Sequence, residues 1–263
     1  MTISTISSRR STGSDGAGVE VFAYTLAPPG PAPLGLIVLQ ADRVIERDMA
    51  RLLPRAALHV SRVTSGLEVG GDTLAAMARD LPAAAGLLPR GVGFGVVGYG
   101  CTSGTAVIGA ARVAALIREG APAAHVSDPL TALTAACRAL RLRRLALLSP
   151  YVAEVSDTLR AALVREGIAT PVFGTFAVAE EARVAAIDAA SIRRAALSLA
   201  AQGGADALFL SCTNLDALDL IAPLEAEASL PVLSSNQVLA WHMAALAGVA
   251  AAVPGRLGQT ARA

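Results

Sequence analysis

The sequence predicts an α/β fold: two similar lobes, each a parallel sheet flanked by helices, related by a pseudo-twofold, with the active site in the cleft between them. Three observations lead there. After a proline-rich opening, strand-like apolar runs alternate with helical stretches, the pattern of parallel sheets covered by helices. Anchors in the first half recur in the second at nearly constant offset: Val38 to Leu147 is 109 positions, Cys101 to Cys212 is 111 and Val126 to Val232 is 106. Finally, Cys101 and Cys212 each end an apolar run and open a threonine-containing turn, Cys101-Thr102-Ser103-Gly104-Thr105 and Cys212-Thr213-Asn214-Leu215.

The elements follow in order. The stretch Ala27-Pro-Pro-Gly-Pro-Ala-Pro33 breaks any regular structure. Leu34–Leu39 reads as a strand and Val44–Leu53 as an amphipathic helix; Ala57–Val63 is a second strand. Gly71–Leu88 is helical, with Asp72 and Thr73 as caps. Val92–Tyr99 is a third strand running into Cys101, and Thr105–Glu119 a helix. His125-Val-Ser-Asp-Pro129 is a short strand and a turn, and Leu130–Leu140 an apolar helical pattern that takes Cys137 into the core. Then the pattern repeats: strand Arg144–Leu148, helix Val152–Glu166, strand Pro171–Phe176, helix Ala189–Gln202, strand Ala207–Leu210, helix Leu215–Ala228, strand Pro231–Ser234 and a closing helix Asn236–Leu246.

Composition narrows the function. The chain has 263 residues, 54% of them hydrophobic and 16% charged, enough to bury a sizeable core. A net charge of +1, no basic run and 3% aromatics argue against a nucleic-acid partner. Residues 1–20 lack the apolar stretch of a secretory signal, and the longest apolar run, Met243–Val253, is too short to span a bilayer. Three cysteines without scaffold spacing suit reduced thiols in a cytoplasmic protein. His59, His125 and His242 are scattered, so no metal site is expected. The Gly-x-Gly of Gly91–Gly95 lies inside a strand and does not open a helix, a poor dinucleotide fingerprint.

The paired cysteines point to chemistry that needs no cofactor. In open parallel sheets ligands bind beyond the carboxyl ends of the strands, where both thiols lie. A free thiol has a pKa of about 8.5, and backbone N–H groups at a helix start stabilise the thiolate. Both cysteines precede predicted helices. Thr102, Ser103, Thr213 and Asn214 supply hydroxyls, an amide and N–H groups for a substrate carboxylate. The same groups stabilise the enediolate formed when an α-proton leaves. One cysteine is then base and the other acid, or one adds to a carbon and the other protonates it. The alternative from another class is a non-catalytic small-molecule binding protein, in which the cysteines are incidental.

Several segments resemble the aspartate/glutamate racemase superfamily, in its maleate isomerase and arylmalonate decarboxylase branch. They are Gly35-Leu-Ile-Val-Leu39, Gly98-Tyr-Gly-Cys-Thr-Ser-Gly-Thr105, Ser149-Pro-Tyr151, Ser211-Cys-Thr-Asn214 and Ser234-Ser-Asn-Gln237, and the likeness runs from about Leu34 to Gly248. The resemblance implies that Cys101 and Cys212 are the catalytic pair, that no cofactor is used, and that the chain forms dimers or larger homo-oligomers. The proline-rich stretch and the repeat give a flexible lead over 1–32, a first lobe over 33–135 and a second over 136–234, and the resemblance implies that 235–263 returns to complete the first lobe. Decarboxylases of the branch keep only the second cysteine, so two cysteines favour an isomerase or racemase. Tyr151 matches a tyrosine that contacts substrate in maleate isomerases.

Two departures bear on substrate. Where maleate isomerases carry an asparagine after the first strand, Leu39-Gln-Ala-Asp-Arg43 places Asp42; at a second pocket asparagine the alignment places Glu181. Two carboxylates repel a dicarboxylate such as maleate and favour a substrate carrying an amine. The plain alternatives are a helix cap at Asp42 and a solvated surface residue at Glu181. Gly35–Asp42 also resembles the ectoine-utilisation subgroup, which implies an amino-acid-like substrate related to diaminobutyrate. The resulting expectation is a cofactor-independent racemase or isomerase acting on a carbon beside a carboxylate. Maleate cis–trans isomerisation and arylmalonate-type decarboxylation are its alternatives.

Overall fold

The computed structural model describes residues 22–28 and 30–260. The lead expected over 1–32 lies outside the described residues except for 22–28 and 30–32, which hold no helix or strand. From Ala32 onward the described chain builds two four-stranded parallel sheets. The first contains β1 (Leu34–Leu39), β2 (Leu58–Val63), β3 (Phe94–Gly100) and β4 (Ala123–Ser127) in the order β2-β1-β3-β4. The second contains β5 (Arg144–Ser149), β6 (Ala169–Thr175), β7 (Ala207–Leu210) and β8 (Val232–Ser234) in the order β6-β5-β7-β8. The orders are equivalent strand for strand, so Cys101 and Cys212 follow the same interior strand of each sheet.

Burial explains why these segments were readable. Interior strands β1 and β7 are buried along their whole length, so they are near-continuous apolar runs, LGLIVL and ALFL. The edge strands β2 and β6 mix buried and exposed positions. Helices α1 (Ile45–Leu52), α2 (Gly71–Ala85), α3 (Thr102–Ile108), α4 (Ala110–Gly120) and α5 (Pro129–Leu140) belong to the first half. The second half carries α6 (Ala153–Arg165), α7 (Glu181–Val184), α8 (Ala189–Ala200), α9 (Ile221–Ala228) and α10 (Ser235–Ala247). Helix α10 leaves β8 of the second sheet and packs on β3, β4 and α1 of the first. One apolar core joins Leu36, Ile37 and Val97 of the first sheet to Leu148 and Leu208 of the second. Among the described residues no helix is long and apolar enough to cross a membrane.

Three expectations need correction, and one element was not expected. The helix expected over 105–119 begins at Thr102 and is broken in two at Gly109, whose φ of 90° no helical residue adopts. The helix expected over 215–228 is shorter: a 3₁₀ turn at Leu218–Leu220 leads into α9 at Ile221. Pro223 accounts for this, because proline fits the first turn of a helix but in a longer one would cost an interior hydrogen bond. Asp72 is not a cap; Gly70 is, and the Thr73 hydroxyl accepts from the Gly70 N–H at 3.0 Å. Finally, the single turn α7 carried too little periodicity to be foreseen.

A Cβ at residue 109 meets nothing within 4 Å, so Gly109→Ala isolates the backbone strain. Urea unfolding should show a loss of about 1–3 kcal/mol; an unchanged midpoint would contradict the α3/α4 break described above.

Candidate active site

The carboxyl ends of β3 and β7 meet at one buried cavity. Its lining is Leu39, Asp42, Cys101, Thr102, Ser103, Tyr151, Glu181, Cys212, Thr213 and Asn214. Every residue singled out from the sequence is therefore brought together, with Leu39 as an added apolar wall. The cavity holds about 10 Å³, room for roughly one water. An open depression of about 770 Å³ lies against it and shares Asp42 and Glu181. Backbone bonds between the two halves close this side: Val69 N–H donates to Ala179 O at 2.9 Å and Glu181 N–H to Leu67 O at 3.1 Å.

The two thiols are free, buried and differently held. Cys101 is the N-cap of α3, and its Sγ accepts from Gly104 N–H at 3.1 Å. Only glycine fits at 104, because a Cβ there would lie 2.8 Å from Cys101 Sγ and 2.7 Å from Tyr99 Oη. Cys212 does not open a helix, contrary to expectation. It holds a φ of 117°, a left-handed value that strains a side-chain-bearing residue. Its Sγ accepts from Asn214 N–H at 3.2 Å and lies 2.9 Å from Tyr151 Oη. Burial is the main cause raising both thiols, Cys101 to about 12 and Cys212 well above the usual range; the carboxylates of Glu181 and Asp42 add to it.

Both plain alternatives for the acidic residues can now be judged. Glu181 is not a surface residue: it is 3% exposed, its Oε1 accepts from Tyr151 Oη at 2.9 Å and its Oε2 from Asn214 Nδ2 at 2.8 Å. Asp42 does cap, with Oδ1 accepting from Val44 and Ile45 N–H at 2.8 and 2.9 Å. Its Oδ2 is buried with no donor committed to it: the Thr213 hydroxyl beside the carboxyl lowers its pKa but donates to Gly100 O. Burial raises both carboxyls; hydrogen bonds oppose it at each.

The polar cradle is partly committed. Thr102 Oγ1 donates to Ser235 Oγ at 2.8 Å, and Thr213 Oγ1 to Gly100 O at 3.1 Å. Asn214 gives its amide to Glu181 and accepts from Arg43 N–H at 2.9 Å, so it braces Glu181. The Ser103 hydroxyl remains, with the N–H groups of Thr102 and Ser103 in the first turn of α3, which have no partner within the helix. Sequence reasoning missed Ser235, whose Oγ also accepts from Cys212 N–H at 3.0 Å and so ties the two cysteine turns together. It missed Asn236 as well, which donates to Thr213 O at 2.8 Å and to buried Asp48 at 2.9 Å. The signal for both was Ser234-Ser-Asn-Gln237 at a strand end. Among the described residues no cluster of His, Cys, Asp and Glu is arranged to hold a metal.

Comparison with known proteins finds relatives of the whole fold. The sequence model of the arylmalonate decarboxylase family matches residues 111–259. Arylmalonate decarboxylase of Bordetella bronchiseptica is 32% identical over 224 residues, covering 82% of this chain and 90% of the relative. Maleate isomerase of Nocardia farcinica is 28% identical over 239 residues, 84% of this chain and 92% of the relative. A solved structure of the Nocardia farcinica maleate cis–trans isomerase, a cysteine-to-serine mutant with a covalently bound succinylcysteine intermediate, superposes with a TM-score of 0.76 at 27% identity, covering 88% of this chain and all of that one.

The unpaired Asp42 oxygen makes a stability prediction. A carboxyl raised in the folded state keeps its proton there while the unfolded chain loses it, so folded stability falls as pH rises above the unfolded pKa of about 3.9. Asp42→Asn retains the caps without the buried charge. It should unfold at higher denaturant at neutral pH, by about 1–3 kcal/mol, and the advantage should vanish as the pH falls towards 4. A variant equally or less stable at pH 7 would contradict the orphan charge.

Proposed function

We propose that this chain, which belongs to the arylmalonate decarboxylase family, is a cofactor-independent racemase or isomerase that moves a proton at the carbon beside a carboxylate of a small amine-bearing substrate. The observation that carries the amine is the buried Asp42 carboxyl, whose Oδ2 has no donor committed to it, since the neighbouring Thr213 hydroxyl donates to Gly100 O, in a cavity that already holds Glu181. A substrate ammonium supplies that donor and offsets the charge; the carboxylate of maleate would add to it.

In this reading the substrate carboxylate rests on the Ser103 hydroxyl and the backbone N–H groups of Thr102, Ser103 and Thr213. Its ammonium faces Asp42, with Glu181 as the second negative charge. The reacting carbon lies between Cys101 and Cys212. One sulfur, as thiolate, takes the α-proton, and the electron pair moves into the carboxylate as an enediolate stabilised by the surrounding N–H groups. The other thiol returns a proton to the opposite face, and the sulfurs exchange roles in the reverse direction. Tyr151 orients Cys212. The likeness of Gly35–Asp42 to the ectoine-utilisation subgroup and the acidic wall both favour an amino-acid-like substrate related to diaminobutyrate.

A second reading is maleate cis–trans isomerisation, favoured by the two cysteines on one cavity and by the succinylcysteine of the Nocardia relative. There a thiolate adds to one carbon of the double bond and the π pair moves into the adjacent carboxylate as an enediolate; the remaining C–C single bond rotates, and expulsion of the thiolate restores the double bond as the trans isomer.

Proton NMR in D₂O separates the two. Maleate, aspartate, glutamate, 2,4-diaminobutyrate and its acetyl derivatives are offered to the protein, with Cys101→Ser and Cys212→Ser as controls. The expected result is loss of the α-proton signal from an amine-bearing substrate, abolished in both variants. Asp42→Asn should lower kcat/KM for that substrate by about tenfold or more, a loss of about 1.4 kcal/mol. Conversion of maleate to fumarate with no exchange into amino acids would sink the amine reading.

A further inference from the structure

We propose that Glu181 is the proton acceptor for Cys212, reached through the hydroxyl of Tyr151. The three groups form one buried chain. Cys212 Sγ lies 2.9 Å from Tyr151 Oη, and Tyr151 Oη lies 2.9 Å from Glu181 Oε1. Their exposures are 5%, 5% and 3%, so little water competes for these bonds. The acceptor end is fixed from two sides: Asn214 Nδ2 donates to Glu181 Oε2 and to Glu181 O, at 2.8 and 3.0 Å, and Glu181 N–H is clipped to Leu67 O.

The step balances without any outside partner. The S–H bond of Cys212 breaks as Tyr151 Oη takes its proton, and Tyr151's own proton passes to Glu181 Oε1. A thiol and a carboxylate become a thiolate and a carboxylic acid; the phenol is unchanged, and nothing is oxidised or reduced. The buried charge moves but does not grow. Losing the Cys212 proton to solvent would instead leave two anions side by side in a low-dielectric cavity. The electrostatics agree. After burial, the Glu181 carboxylate is the largest cause holding Cys212 up, and it raises Cys101 too. That contribution disappears when Glu181 carries the proton. Burial raises the Glu181 carboxyl and the Cys212 thiol alike, so the hydrogen-bonded path between them, not a match of proton affinities, carries the proposal.

Glu181 acts through Tyr151, so it is a positioning residue for this step; its charge is felt by both sulfurs, but the proton route reaches only Cys212. Cys101 also has a tyrosine hydroxyl beside it, that of Tyr99, but Tyr99 Oη donates to Met77 Sδ rather than to a carboxylate, and Gly104 N–H offers no proton route, so Cys101 lacks the relay. The proposal deepens the functional reading above only in taking Cys212 as a working thiol. It concerns the resting protein, so it can be tested without a substrate.

The test is the rate of alkylation of Cys212 by iodoacetamide, followed by mass spectrometry, between about pH 5 and about pH 9. A Cys101→Ser, Cys137→Ser background removes the other thiols. Proton sharing predicts a rate that is flat across the middle of this range, because the proton moves within the site and neither enters nor leaves. Glu181→Gln and Tyr151→Phe should each abolish the flat limb and slow neutral alkylation by about tenfold or more. Circular dichroism verifies that both variants fold, and Tyr151→Phe leaves the Glu181–Asn214 contact in place should Glu181→Gln unfold. If Glu181 acts by charge alone, Glu181→Gln relieves the thiol and speeds alkylation; that result, or an unchanged profile in either variant, overturns the proposal. A flat limb in a protein that exchanges no α-proton would leave the relay standing and remove the substrate reading; exchange without the limb would do the reverse.

Discussion

Two thiols and two carboxyls share a cavity with room for about one water, and the penalty for buried charge governs what each can do. Every ionisable group there is pushed towards its neutral form, chiefly by burial. A thiol held near 12 is a poor base on its own. It becomes a useful one only when charge of the opposite sign arrives or when a neighbouring anion is neutralised. In the proposed function a substrate ammonium at Asp42 does the first, and in the proposed relay proton transfer to Glu181 does the second.

The scaffold holds these groups in a geometry that they would not adopt freely. Cys212 keeps its strained φ because its backbone N–H is bound to Ser235, which is also bound to Thr102 of the opposite turn. Asn236 and Asp48 lock the carbonyl of Thr213 from beneath. Glu181 reaches the cavity because the strip around Leu67–Val69 pairs with Ala179–Glu181. Contacts between the halves therefore set the position of each reactive atom, and the continuous core below them makes that position stiff. Loosening the strip is the simplest route by which a cavity this small admits a ligand from the larger depression beside it.

Much of this was legible in the sequence, for reasons of periodicity. Strands buried on both faces become unbroken apolar runs, so β1 and β7 were found to the residue. The repeat offset placed both cysteines at equivalent strand ends, and the topology puts them there. What was not legible depended on single backbone angles or on tertiary partners. Gly109 splits a helix through a φ that no pattern of polarity encodes. Cys212 lacks the helix expected after it, because Pro223 sets where α9 begins. Asp42 has two roles, one per oxygen, which no sequence motif separates. Glu181 and Asn214 read as independent contacts for substrate, whereas folding pairs them with each other.

The central claim is that the two thiols face opposite sides of one carbon. The most direct measurement follows deuterium in the first turnover of a single enantiomer of the amine-bearing substrate in D₂O. Opposed thiols predict that deuterium enters the product enantiomer while the recovered substrate keeps its proton, and that replacing either cysteine by serine abolishes this. Deuterium entering substrate and product at equal rates, or turnover surviving the loss of either thiol, would contradict it.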